Sequence, residues 1–233
     1  LLLLVRKLGK QRTMNRLWSA WTSGLSSIAS SSGAVTPSAS KRWFSRLVQA
    51  YSHKSRFYHT TDHLTEMLDL MDATPPSNTG ITIIATFFHD AVYDAKAPDN
   101  EEQSEVLFRE FCGDEGVSVD ADSAAAISEY ILATKSHSVP ADAPRDMKLF
   151  MDFDMAVLGW PWERYVGYAR AIRREYIHIP LDDYCRARGA FILEFAKRTD
   201  LYATPEFTKS HLPVAQRNLR REAESLLRRG EVP

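Results

Sequence analysis

The sequence predicts an all-α fold, and three observations carry that expectation. From Lys41 onward apolar residues recur at helical spacing in one segment after another. Capping residues and Pro or Gly stops punctuate those segments at helix-length intervals. Nowhere does strand alternation with hairpin turns appear. The chain has 233 residues, 44% apolar and 25% charged, so a single domain with a sizeable core is the default. A bundle of about eight or nine helices is expected over 41–229, followed by a short tail over 230–233.

Taken in order, Trp43, Leu47 and Tyr51 give the first helix its apolar face. Thr60 or Thr61 can cap a second helix carrying Leu64, Met67, Leu68 and Met71, which Thr74-Pro75-Pro76 ends. Ile81 to Tyr93 is apolar nearly all round, the mark of a central buried helix. Its β-branched start would suit a strand, but its length favours a helix. Asp99 or Asn100 can cap a helix through Phe111. Asp120 or Asp122 opens another, with Ala126, Ile127, Tyr130 and Ile131 on one face. Asp146–Leu158 is helical up to the stop at Gly159-Trp160-Pro161. Trp162–Ile177, Asp182–Arg198 and Leu212–Arg229 complete the set.

Residues 1–40 read differently. They are basic, then rich in Ser, Gly and Ala, and the segment 1–61 contains ten basic residues and no acid. Such a leader resembles a mitochondrial or plastid transit peptide, with a disordered tail on an otherwise cytoplasmic protein as the other reading. Met14 is a candidate initiator. On either reading 1–40 stands outside the expected fold. Beyond residue 61 the chain holds nineteen basic and thirty acidic residues, a balance unlike that of a nucleic-acid-binding surface. No run approaches the roughly 18 apolar residues of a membrane-spanning helix. Two cysteines, Cys112 and Cys185, are too few for a disulfide framework or a cysteine-rich zinc site.

The chemistry concentrates on histidines and acids in apolar surroundings. Phe87-Phe88-His89-Asp90 places an imidazole beside a carboxylate within the most apolar segment. Burying both costs several kcal/mol unless something satisfies them, and a divalent cation would. Upstream, Arg56-Phe57-Tyr58-His59-Thr60-Thr61-Asp62-His63 holds two histidines four residues apart, on one face if helical. Downstream, Met151-Asp152-Phe153-Asp154 sets two acids among core residues.

A His, then a His-Asp doublet, then an Asp on successive helices resembles the HD superfamily of metal-dependent phosphohydrolases. His63 matches the first ligand, His89 and Asp90 the doublet, and Asp154 the last, favoured over Asp152 by the segment running to Gly159. The match is similar in particular to a subgroup of small, uncharacterised predicted HD hydrolases. Its motifs stand here as Arg56 to His63, Phe88 to Asp94, Asn100-Glu101-Glu102-Gln103-Ser104, and Ile172-Arg173-Arg174-Glu175-Tyr176.

The resemblance implies an HD-type helical bundle and one divalent ion, Mn, Fe, Co, Ni, Zn or Mg, held by His63, His89, Asp90 and Asp154. The implied activity is hydrolysis of a small phosphorylated metabolite, a nucleotide in the first instance, by metal-activated water. Neither a nucleic-acid polymer nor a membrane is an expected partner. Asp94, four residues after Asp90, is one helical turn on and is the candidate for orienting water or relaying a proton. Guanosine tetraphosphate hydrolases of the superfamily carry Glu-Asp at that position, whereas this chain carries Tyr93-Asp94. His59 is a second candidate catalytic group. Arg56, Lys135, Arg173 and Arg188 are candidate phosphate ligands, and His137 is a candidate contact for the leaving group. Two other functions fit a retained metal site. An HD-type diiron oxygenase would need two further histidines before the final Asp, and this chain offers His137 alone. A non-catalytic metal- or nucleotide-binding module is the other.

Overall fold

The structure is a computed structural model that describes residues 2–31 and 33–233, with side chains from Gly9 onward. It is all-α: eleven α-helices and no β-strand form among the described residues. None of these helices is long and apolar enough to cross a membrane. The helices gather into two compact units, one running to His53 and resuming over His59–Ser136, the other made of Lys54–Tyr58 with His137–Pro233.

The first unit contains α1 (Leu2–Ile28), α2 (Pro37–Tyr51), α3 (Thr61–Ala73), α4 (Thr79–Phe88), α5 (Asn100–Cys112) and α6 (Ala121–Ala133). The caps follow local chemistry. Thr60 Oγ1 accepts from the Asp62 amide, Asn78 Oδ1 from that of Ile81, and Asp120 from those of Asp122 and Ser123. Helix α4 is the hub, with α1, α3, α5 and α6 all packed against it. Eight of its ten residues are buried, Gly80 and Thr82 to Phe88, as the apolar run requires.

Helix α1 corrects the expectation that residues 1–40 lie outside the fold. Leu17, Trp21, Leu25 and Ile28 form one buried face at 3.6-residue spacing. Trp21 meets Phe87 and Phe111 edge-on at 5.3 and 5.8 Å, and its Nε1 donates to Ser40. Two glycines set how closely α1 and α4 cross. A Cβ on Gly24 would stand 2.8 Å from Ile83 Cγ2, and one on Gly80 2.4 Å from Ser27 Cβ. The Ser-rich composition marks small residues at a tight helix crossing as well as it marks a leader.

The second unit contains α7 (Arg145–Met155), a 3₁₀ turn (Ala156–Gly159), α8 (Trp162–Glu175), α9 (Leu181–Phe195), α10 (Pro205–Ser210), α11 (Leu212–Glu224) and a closing π turn (Ser225–Arg229). Helix α11 is its hub, touching α8, α9, α10 and both turns. The expected helix Asp146–Leu158 therefore changes pitch after Met155. The short α10 was not expected; Thr204 caps it and Pro205 starts it.

If α1 belongs to the fold, Trp21→Ala will lower the unfolding free energy by about 3–5 kcal/mol. Urea denaturation followed by far-ultraviolet circular dichroism measures this, and a leader without tertiary contacts would show no change.

Candidate metal centre

The helix expected to run from Ile81 to Tyr93 ends at Phe88. The His89 amide still bonds to Ala85 O at 2.9 Å, but the Ala91 amide turns back to Phe88 O at 3.0 Å, and the helical ladder stops. His89 and Asp90 thus sit at the frayed end of the most apolar helix. Asp94 consequently does not lie one helical turn beyond Asp90. It is exposed, and its Oδ1 accepts from the Lys96 amide at 3.0 Å.

His63, the third residue of α3, points its imidazole at that helix end. Its Nε2 lies 3.3 Å from His89 Nε2 and 4.0 Å from Asp90 Oδ2, and His89 Nε2 lies 3.0 Å from Asp90 Oδ2. Both imidazoles are buried, at 2% and 1% exposure. His89 Nδ1 faces the Thr86 carbonyl at 2.9 Å, an acceptor, so this nitrogen carries a proton. In the neutral ring Nε2 then presents its lone pair to the cluster.

The geometry fits a metal ion. Two donors each about 2.1 Å from one ion stand no more than about 4.2 Å apart, and all three separations fall inside that limit. These three residues are a group of the size and type that could hold a metal. The set is two imidazole nitrogens and one carboxylate, which suits first-row divalent ions. No protein-family model, curated protein or solved structure matches the chain.

The remaining expected residues fall into distinct places. His59 precedes α3, so it does not share a helical face with His63. Its ring stacks on Tyr93 at 4.2 Å and lies 6.3 Å from the His63 ring. Lys135 pairs with Glu102 at the surface of the first unit. Asp154 belongs to the second unit, where its Oδ2 meets His137 Nε2 at 3.0 Å. His137 holds φ at +46°, the left-handed region that a non-glycine residue occupies at a cost. Arg56 is buried at 6% exposure.

Two of the expected phosphate ligands are committed to structure. Arg173 donates to the carbonyls of Tyr176 and Ile179 at 2.7 and 3.0 Å and lies over the Tyr184 ring, bracing the turn after α8. Arg188 forms a two-pronged ion pair with the fully buried Glu222, at 2.5 and 3.3 Å, and Tyr165 donates to the same carboxylate.

Asp152 likewise has a structural task. Its carboxylate, 1% exposed, accepts from the amides of Ala203 and Thr204 and from the Thr204 hydroxyl, tying α7 to the start of α10. Burial outweighs those three bonds and pushes its pKa up to about 6. Glu175, in the motif that ends at Tyr176, is also buried and accepts from the amides of Phe57 and Tyr58 at 2.7 and 2.8 Å. The segment beside Arg56 is thereby fastened to α8.

Two measurements test these assignments. Arg188→Ala leaves Glu222 buried and unpaired, and is expected to cost about 3–5 kcal/mol of stability. The paired change Arg188→Met with Glu222→Leu should recover most of it in urea titrations, an outcome a phosphate ligand would not give. For Asp152 the folded pKa of about 6 lies above the ordinary 3.8, so the folded state holds that proton more tightly. The associated stability is fully present below pH 4 and fades as pH rises through 6, by about 3 kcal/mol. Comparing melting profiles from pH 4 to 7 with those of Asp152→Asn isolates this slope, which the variant should lack.

Proposed function

We propose that this chain is a divalent-metal-dependent phosphohydrolase acting on a small phosphorylated metabolite, with nucleotides the first class to test. The observation that carries the reading is the group of His63, His89 and Asp90, two buried imidazoles and a half-buried carboxylate within one ligand sphere. The three side chains are 2%, 1% and 16% exposed at the end of an apolar helix, and imidazole nitrogens with a carboxylate are a donor set that a first-row divalent cation pairs with. The sequence pattern adds the HD-type order of ligands, with Asp154 as the fourth.

In this reading His63, His89 and Asp90 hold the ion. Bound there, the ion contributes Lewis acidity toward a phosphoryl oxygen and brings water's pKa toward neutrality. The Thr86 carbonyl fixes the His89 tautomer and thereby aims Nε2. His59, ring-stacked on Tyr93 with its ring 6.3 Å from that of His63, is the candidate we propose for carrying a proton. Asp94 is the weaker candidate for that task, since its Oδ1 already serves a turn. Arg173 and Arg188 are committed to structural partners, and His137 steadies the Asp154 carboxylate.

The test is a phosphatase screen over nucleotides and sugar phosphates with Mn, Co, Ni, Mg, Zn and Fe, alongside calorimetric metal titration. About one ion per chain is expected, and His89→Ala and Asp90→Ala should lose both ion binding and turnover while keeping a cooperative thermal transition. Full turnover by Asp90→Ala would overturn the reading. Two irons per chain with oxygen consumption would replace it with a diiron oxygenase, and ligand binding without product would leave a binding module.

A further inference from the structure

After Phe88 the chain leaves α4, and beyond Asp90 it runs to α5 with neither a helical ladder nor a strand partner. Its backbone polar groups still need partners. Two side chains on α5 supply them. Ser104, fully buried, accepts from the Val92 amide through Oγ at 3.0 Å and donates to the Val92 carbonyl at 3.2 Å. Asn100 accepts from the Asp94 amide through Oδ1 at 2.9 Å and donates through Nδ2 to the Asp94 carbonyl at 3.0 Å. Each side chain thus engages both the N–H and the C=O of one residue, as a neighbouring strand would.

Asn100 and Ser104 are four apart on one face of α5, while Val92 and Asp94 are two apart on the segment they hold. Asp90 lies between two fixed points: the turn Ala91 N to Phe88 O before the segment, and the Ser104 clamp at Val92 after it.

We propose that Asn100 and Ser104 are positioning residues that hold the Asp90 carboxylate in place for ion binding. This rests on the reading that His63, His89 and Asp90 form a metal site. It also gives the motif Asn100 to Ser104 a physical task that its two glutamates do not require.

The experiment uses the full chain. Co²⁺ is titrated by visible absorption and Mn²⁺ by calorimetry into wild type, Ser104→Ala, Asn100→Ala, Ser104→Thr, and a Phe108→Leu control in the same helix. Amide exchange at Val92 and Asp94 is followed in the metal-free chains. The expected result is a 10–100-fold loss of ion affinity in the two alanine variants, with faster exchange at the clamped amides. Ser104→Thr, which keeps the hydroxyl, should restore affinity, and Phe108→Leu should lower stability without moving it. Should Ser104→Ala not fold, Asn100→Asp keeps the acceptor and drops the donor, and an intermediate loss is expected. Wild-type affinity in the alanine variants despite faster exchange would overturn the clamp while leaving the metal site standing. Absence of ion binding by the wild-type chain would overturn both.

Discussion

The constraint on which the first unit depends is the burial of α4. A ten-residue helix with eight buried positions has no polar face to offer water, so its neighbours must surround it. That explains why α1 is needed. Without Leu17, Trp21, Leu25 and Ile28, the side of α4 bearing Ile83, Ile84 and Phe87 would face solvent. It also sets the chemistry of the far end, because a helix enclosed on all sides must end among apolar neighbours. His89 and Asp90 inherit that environment, and His63 arrives from α3 to share it.

Most of the helices were legible in the sequence because their apolar periodicity and caps agree. Thr60, Asn78 and Asp120 behave as their residue types predict. Two boundaries were not legible, for different reasons. Phe88 ends α4 although apolar residues continue to Tyr93, because Ser104 and Asn100 compete for the backbone that would have extended the helix. That competition is between residues twelve and six apart, beyond the i to i+4 spacing by which a helix is read. Helix α1 was hidden by composition: its serines and glycines read as a flexible leader, while Gly24 and the small side chain at Ser27 permit a close crossing. The repeat of Leu17, Trp21, Leu25 and Ile28 was the signal available against that reading.

The candidate ligands were more legible than the residues around them. His63, His89 and Asp90 stand out because such groups are expensive in apolar surroundings, and a single sequence displays that incongruity. Cations do not stand out in the same way. Arg173 and Arg188 look equally suited to phosphate, to a carboxylate or to a carbonyl, and only their neighbours decide. For Arg188 the neighbour is Glu222, which is fully buried. A buried Glu requires committed donors, and Arg, always charged and able to pair with two prongs, supplies them to Glu222 better than Lys would. The same reasoning separates Asp152 from Asp154. Three donated bonds to the chain at Ala203 and Thr204 make Asp152 a fastener, whereas Asp154 meets an imidazole.

The quoted motifs therefore mix two kinds of residue. One kind could hold an ion together, as His63, His89 and Asp90 could. The other kind uses side chains to mimic backbone: Ser104 and Asn100 on the segment after Asp90, and Glu175 on the amides of Phe57 and Tyr58. Both are demanding for a physical reason. A ligand must match an ion's radius and charge, and a backbone mimic must match the direction of an N–H or a C=O. Thr or Ala in place of Asn100 would lose one or both of those directions, and Asp in place of Glu175 would shorten its reach. A motif built from such residues is as specific in its braces as in its ligands, and residues near a site gain no catalytic role from proximity alone.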